Sequence, residues 1–161
     1  MTHPVQKLIL REARLLDENR LDDWLALYLE DASYWVPIDE NADPLKESSI
    51  IYDNHSRLAM RVEQIMRQNR VAQNPGSHTL RMVSNIDIED VDAATATATF
   101  ALLLTEVRSG DWRQQGLGEM RLFPGHCKVV CKKVGDDWKI QHKTIVLLNR
   151  KQPIVGLSFI L

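Results

Sequence analysis

The sequence predicts an α+β fold, with helices grouped ahead of an antiparallel sheet, and three observations carry that expectation. From Thr95 to Leu148 the chain alternates with period two over three long runs rich in threonine and valine, a pattern no helix imitates. Turn-forming stretches, Ser109-Gly110-Asp111 and Gly135-Asp136, separate those runs as in a meander. Ahead of them, apolar residues recur at helical spacing in three places.

In chain order, Val5, Leu8, Ile9, Leu15 and Leu16 predict an amphipathic helix over roughly His3 to Leu16. Asp17-Glu18-Asn19-Arg20 breaks it. A second helix is expected from Asp22, as N-cap, through Trp24, Leu25, Tyr28 and Leu29. Glu30-Asp31 ends it, and Ser33 to Val36 reads as a short strand stopped by Pro37. Asp39 to Ser49 is acidic and aperiodic, an exposed loop. Asp53 and Asn54 suit the cap of a third helix whose stripe is Leu58, Val62, Ile65 and Met66. Arg57, Arg61 and Arg67 lie mostly off that stripe and read first as a solvated face, second as contacts for an acidic partner.

After the turn Asn74-Pro75-Gly76, Leu80, Met82, Ile86 and Ile88 alternate over a strand from His78 to Ile88. The next strand, Thr95 to Val107, sets Ala96, Ala98, Phe100, Leu102 and Leu104 against threonines. Arg121 to Val134 carries Phe123, Cys127, Val129 and Cys131 on one parity. Asp137 to Leu148 places Trp138, Ile140, His142, Thr144, Val146 and Leu148 on a single face. Trp24, Trp35 and Trp138 fall on core parities. Trp112, in a connection, either folds back over the sheet or meets a partner.

One end of this sheet is apolar on both faces, at Leu102-Leu103-Leu104, Leu122-Phe123 and Ile145-Val146-Leu147-Leu148. A layer of helices covers only one face, so the other needs a second cover. The candidates are another subunit or the tail Pro153 to Leu161, which has no charged side chain and carries Ile154, Val155, Leu157, Phe159, Ile160 and Leu161. The subunit interface is the expected place for that tail. The core-facing positions at this end are expected to be Leu102, Leu104, Val146 and Leu148, with Leu103, Ile145 and Leu147 turned away.

At 161 residues the chain is expected to form one domain, residues 1–161, large enough to bury a full core. A formal net charge of -2 gives no reason to expect nucleic acid or an anionic membrane as partner. No apolar run approaches the roughly 20 residues of a membrane span. Met1-Thr2-His3-Pro4 opens straight into a helical pattern, so the cytoplasm is the expected compartment. Cys127 and Cys131 share one strand face about 13 Å apart, at about 3.3 Å of rise per residue. That distance is too great for a disulfide or shared metal ligation, so both should be buried, reduced thiols.

The five histidines form no local chelate, because no pair has i, i+4 helical or i, i+2 strand spacing. No G-x-S-x-G, Walker A or G-x-G-x-x-G is present. A curved sheet wrapped on its helices would leave a conical cavity, so acid–base chemistry there is the one enzymatic option. Asp31 would act with a histidine, and Tyr28, His78, His126 and His142 are the groups that could converge with it. The blander reading makes Asp31 a turn cap and the histidines hydrogen-bonded sheet residues, and it is preferred. The expected catalytic, cofactor-binding and metal-binding residues are therefore none.

Glu12-Ala13-Arg14-Leu15-Leu16-Asp17, Trp24-Leu25-Ala26-Leu27-Tyr28 and Asp31-Ala32-Ser33-Tyr34-Trp35-Val36-Pro37 resemble the opening of β (small) subunits of aromatic-ring-hydroxylating dioxygenases. Tyr52-Asp53, Arg61-Val62 and Ser84-Asn85-Ile86 continue the likeness. It runs on through Lys143-Thr144-Ile145-Val146-Leu147-Leu148-Asn149-Arg150, Pro153-Ile154 and Phe159-Ile160-Leu161. The resemblance implies a cone-shaped fold of the nuclear-transport-factor-2 (NTF2-like) type. It also implies a catalytic α subunit holding a Rieske [2Fe-2S] cluster and a mononuclear non-haem iron. The β subunits, structural and free of cofactors, would form the trimer of an α3β3 hexamer that degrades aromatic compounds. The alternative is a free-standing cavity enzyme of the same fold, an isomerase, dehydratase or hydrolase using Asp31 and a histidine.

Overall fold

The computed structural model describes residues 2–68, 74–110, 113–114 and 117–161; Trp112 lies outside them. Helix α1 (Pro4–Asp17) starts with proline at its first turn, where a missing N–H costs nothing, and His3 Nδ1 caps the Val5 N–H at 3.2 Å. It buries Val5, Leu8, Ile9, Leu15 and Leu16 as its spacing predicts, and with them Glu12. Helix α2 is a single short turn, Leu21–Leu25, not the longer helix expected from Asp22 to Leu29. Tyr28 and Leu29 instead begin strand β1 (Tyr28–Pro37). The sheet overrides local preference here, because β1 gains a ladder with a strand far away in sequence.

Strand β2 (Ser49–Asn54) was not foreseen; it pairs antiparallel with β1 at the sheet edge. Asn54 then caps α3 (His55–Arg67), accepting the Arg57 N–H at 3.0 Å. Leu58 and Val62 of α3 are buried, whereas Met66 is exposed. Two of the α3 arginines find acids within this chain, Arg61 pairing with buried Asp53 and Arg67 with Asp22 and Glu63, while Arg57 donates to the Tyr52 carbonyl at 3.2 Å.

The long strands are β3 (His78–Asp92), β4 (Thr95–Val107), β5 (Arg121–Val134) and β6 (Asp137–Leu147). They complete a six-stranded sheet of order β2-β1-β6-β5-β4-β3, antiparallel except for the parallel pair of β1 and β6. Helix α1 packs on β3, and α3 on β1, so the helices cover one face. The core lies between, with Trp24, Tyr34, Leu104, Ile140, Ile145 and Leu147 among its largest buried side chains.

Two irregularities reset the alternation. In β6, Val130 faces His142 and Cys131 faces Ile140, which leaves Gln141 as an extra residue. Beyond it the inward positions are Lys143, Ile145 and Leu147, while Leu148 is 63% exposed. This inverts the expected parity: Ile145 and Leu147 are core, and Val146 and Leu148 face outward. In β3 the register shifts between Ser84 and Asp87, at Asn85 with φ 53°. Asparagine is among the few residues that tolerate that left-handed conformation. Arg81 and Val83 point toward the helices before the shift, Ile86 and Ile88 after it, so Leu80 and Met82 are exposed.

The tail also departs from expectation. Phe159, Ile160 and Leu161 are buried in this chain's own core, not left out for an interface. The Tyr34 hydroxyl donates to the Leu161 main-chain oxygen at 2.5 Å, and Arg81 Nη2 donates to the Ile160 carbonyl. Arg121 donates to the carbonyls of Val155 and Gly156, and the Phe159 ring meets Phe123 edge-on at 5.5 Å.

Candidate functional site

Helix α1 and strand β6 bring two charges together in the interior. Glu12 lies four residues after Leu8 and three before Leu15, on the helix's buried stripe. Lys143 reaches the same space because the extra residue Gln141 turns it inward. Lys143 Nζ donates to Glu12 Oε1 at 2.7 Å, and the two side chains are 3% and 2% exposed. The Tyr28 hydroxyl and Trp24 Nε1 donate to the same oxygen at 2.5 and 3.2 Å. The Lys143 ammonium also lies 5.6 Å from the Tyr34 ring centroid.

Burial by itself would raise the Glu12 carboxyl, but the Lys143 charge and the hydrogen bonds from Lys143, Tyr28 and Trp24 hold it below its ordinary value. Burial, reinforced by the Glu12 charge, pushes the Tyr28 phenol well up. An acid fixed as a carboxylate and a phenol fixed as a phenol have no proton to exchange near neutral pH. The aromatic residues Trp24, Tyr28 and Tyr34 and the tail occupy the space where a conical cavity was expected. Chemically this is a structural ion pair.

The groups expected to converge do not. Tyr28 is inside, but Asp31 is exposed and accepts from Gln141 Nε2 at 2.7 Å. His78 is exposed on edge strand β3. His126 and His142 point out from β5 and β6, where His142 Nδ1 lies 2.8 Å from Ser33 Oγ. The Asp31–histidine cavity enzyme is thereby disfavoured, since its acid and its bases sit on the wrong side of the sheet. Trp35 also lies outward, bonded through Nε1 to Ser49 Oγ, so of the three tryptophans expected in the core only Trp24 is fully buried. Sequence reasoning missed Glu12 and Lys143; the one available signal was a carboxylate on an apolar helical stripe.

Cys127 and Cys131 are buried free thiols, each pushed up to about 12, chiefly by burial. Among the described residues, no three His, Cys, Asp or Glu side chains gather around a common point. The donors do not fit an iron–sulfur cluster or a mononuclear metal.

The outer face of the sheet carries the remaining feature. Register places Met82, Leu103 and Pro124 side by side on β3, β4 and β5, and the Leu148 N–H donates to the Pro124 carbonyl at 3.0 Å. One step along, Leu80, Thr105 and Leu122 form a second row. Leu80, Met82, Leu122 and Leu148 are all more than half exposed. Next to these rows a groove of about 840 Å³ runs across the face, lined by Trp35, Thr99, His126, Lys128, His142 and Val146.

The family model described as ring hydroxylating beta subunit matches residues 11–152. The small oxygenase component of the p-cumate 2,3-dioxygenase system of Pseudomonas putida is 35% identical over 136 residues, covering 76% of each chain. Among solved structures, the beta subunit of the benzoate 1,2-dioxygenase from Burkholderia mallei superposes with a TM-score of 0.73 at 25% identity, covering 99% of this chain and 100% of that one. An NTF2-like protein with a cystatin-like fold from Novosphingobium aromaticivorans superposes at 0.61, with 15% identity over 95% of this chain and 84% of that one. The fold is thus NTF2-like, the cone-shaped α+β arrangement that the N-terminal helices and curved sheet describe.

Proposed function

This chain belongs to the ring hydroxylating β-subunit family, and from that premise we propose that it is the structural, non-catalytic β subunit of a Rieske non-haem iron dioxygenase acting on an aromatic compound. Its partner is the catalytic α subunit, which supplies the [2Fe-2S] cluster and the mononuclear iron. The chain contributes no catalytic, cofactor-binding or metal-binding residue and acts as one domain. Three copies join three α subunits in an α3β3 hexamer in the cytoplasm.

The observation that carries this reading is the exposed apolar face at Leu80, Met82, Leu103, Leu122, Pro124 and Leu148. The helices cover the other face, and Phe159, Ile160 and Leu161 are buried in the chain's own core, so among the described residues nothing covers these rows. The chain exposes 9437 Å², against about 8,200 Å² for a compact monomer of its mass. The surplus, about 1,200 Å², exceeds the roughly 800 Å² that one partner gives to a standard interface.

Co-expression with the α subunit, followed by sizing and iron assay, tests it. The wild-type chain is expected to co-purify with an iron-loaded α subunit. Leu148→Asp and Met82→Asp should cut recovery in the complex at least tenfold while the isolated chain keeps its circular dichroism, because a dry contact cannot accommodate an unpaired carboxylate. A wild-type chain that stays monomeric beside the α subunit, or charged variants that assemble normally, would overturn the proposal.

A further inference from the structure

We propose that the mouth of the cone is a binding site for a small aromatic carboxylate, and that Phe159–Leu161 is its built-in, displaceable occupant. The proposal starts from Arg81, whose side chain is 3% exposed. Its Nη1 is fixed to the body of the protein, at 2.5 Å from Asp17 Oδ1 and 3.0 Å from Thr79 Oγ1. The Arg81 main-chain N–H also donates to Asp17 Oδ2 at 2.8 Å. The opposite edge of the guanidinium, Nε with Nη2, is a two-donor fork turned toward the tail. The Ile160 carbonyl takes Nη2, while Nε is buried with no acceptor among the described residues.

A main-chain carbonyl offers one oxygen to that fork, whereas a carboxylate offers two at matching spacing. The tail therefore half-satisfies a site whose full complement is a carboxylate. Tyr34 adds a third donor, which the Leu161 oxygen now occupies at 2.5 Å. The Phe159 ring marks the aryl position, edge-on to Phe123 at 5.5 Å and with the Arg121 guanidinium 5.8 Å from its centroid. A small open pocket of about 40 Å³ is bordered by Arg81, Phe159 and Ile160. An aryl group and a carboxylate on one small molecule would use every one of these contacts and the orphan Nε besides.

The probe is 3-phenylpropanoate, with 3-phenylpropanamide as the neutral control. A chain ending at Leu157 should bind the acid at least tenfold more tightly than the full chain by equilibrium dialysis, and the amide at least tenfold more weakly than the acid. Arg81→Lys, which keeps the charge and removes the fork, should abolish that preference. Hydrogen exchange on the full chain provides an arm that does not depend on the shortened chain folding. The acid, but not the amide, should speed exchange at Ser158–Leu161. If acid and amide bind the shortened chain alike, or Arg81→Lys leaves the preference intact, the site is refuted. If the shortened chain does not fold and neither compound alters exchange in the full chain, the tail is structure only and the proposal falls. None of these outcomes depends on whether the chain joins an α subunit.

Discussion

Glu12 and Lys143 illustrate how little a buried charge reveals of itself until its partner is placed. Each is tolerable only because the other is within 2.7 Å, and removing one leaves an uncompensated ion in the core. Glu12→Gln is expected to destabilise the fold by about 3–5 kcal/mol, read by urea denaturation. Pairing it with Lys143→Met should recover most of that, since glutamine still accepts from Tyr28 and Trp24. The pH dependence follows from the lowered Glu12 carboxyl. Its stabilising effect is fully present above its ordinary value of 4.5 and is lost as pH falls through the lower folded value. Wild-type stability should drop in that acid window, and the double variant should drop less there. The thiols give a second check. With both pushed up to about 12, only about one in ten thousand is thiolate at pH 8. A thiol reagent should therefore react with neither cysteine in the native chain and with both after unfolding.

At the scale of elements, the extra residue Gln141 in β6 decides which face every later residue takes. Adjacent leucines then behave as opposites. Leu147→Asp places a charge in the core and should unfold the chain or lower its melting temperature by roughly 6–12 °C or more, as a loss above about 3 kcal/mol implies for this size. Leu148→Asp should leave the melting temperature within a few degrees, because its side chain already faces water in the isolated chain. Thermal unfolding of the two variants side by side checks the bulge. The reverse order, with Leu148→Asp the more damaging, would mean that β6 alternates without interruption. The irregularity at Asn85 does the same for β3, directing Arg81 inward and Leu80 and Met82 outward. Both shifts were invisible in the alternation itself, because β6 beyond Lys143 and β3 before Ser84 are apolar or long-chained on both parities.

Across the whole molecule, the sheet has two apolar faces at one end and only one set of helices. The tail serves the inner face, where Arg81, Tyr34 and Arg121 hold its main-chain oxygens, and the outer rows at Leu80, Met82, Leu122 and Leu148 stay exposed. The two faces separate experimentally. Charge at Met82 or Leu148 should act on assembly and spare folding, whereas loss of Phe159–Leu161 should act first on stability. The interior closed by that tail also accounts for the difference between this chain and a cavity enzyme of the same fold. The space is filled by Trp24, Tyr28, Tyr34 and the tail, and the acid in it is neutralised by Lys143.

By itself the sequence determined what depends on neighbours along the chain. It established the α+β class, the limits of the four long strands to within a few residues, the cap at Asn54, and an apolar surplus at one sheet end. These follow from local periodicity, propensity and turn chemistry, and the ordered matches along the chain pointed to the β-subunit family. Only the tertiary structure decided what depends on distant pairing. Strand β1 took Tyr28 and Leu29 from the end of a predicted helix because β6 lies parallel beside it, 109 positions on at the Ser33–His142 pair. The inward turn of Lys143, the exposure of Asp31 and the three outward histidines, and the burial of the tail all depend on register and on which carbonyl meets which arginine. Those are contacts between segments far apart in sequence, and no period in the chain encodes them.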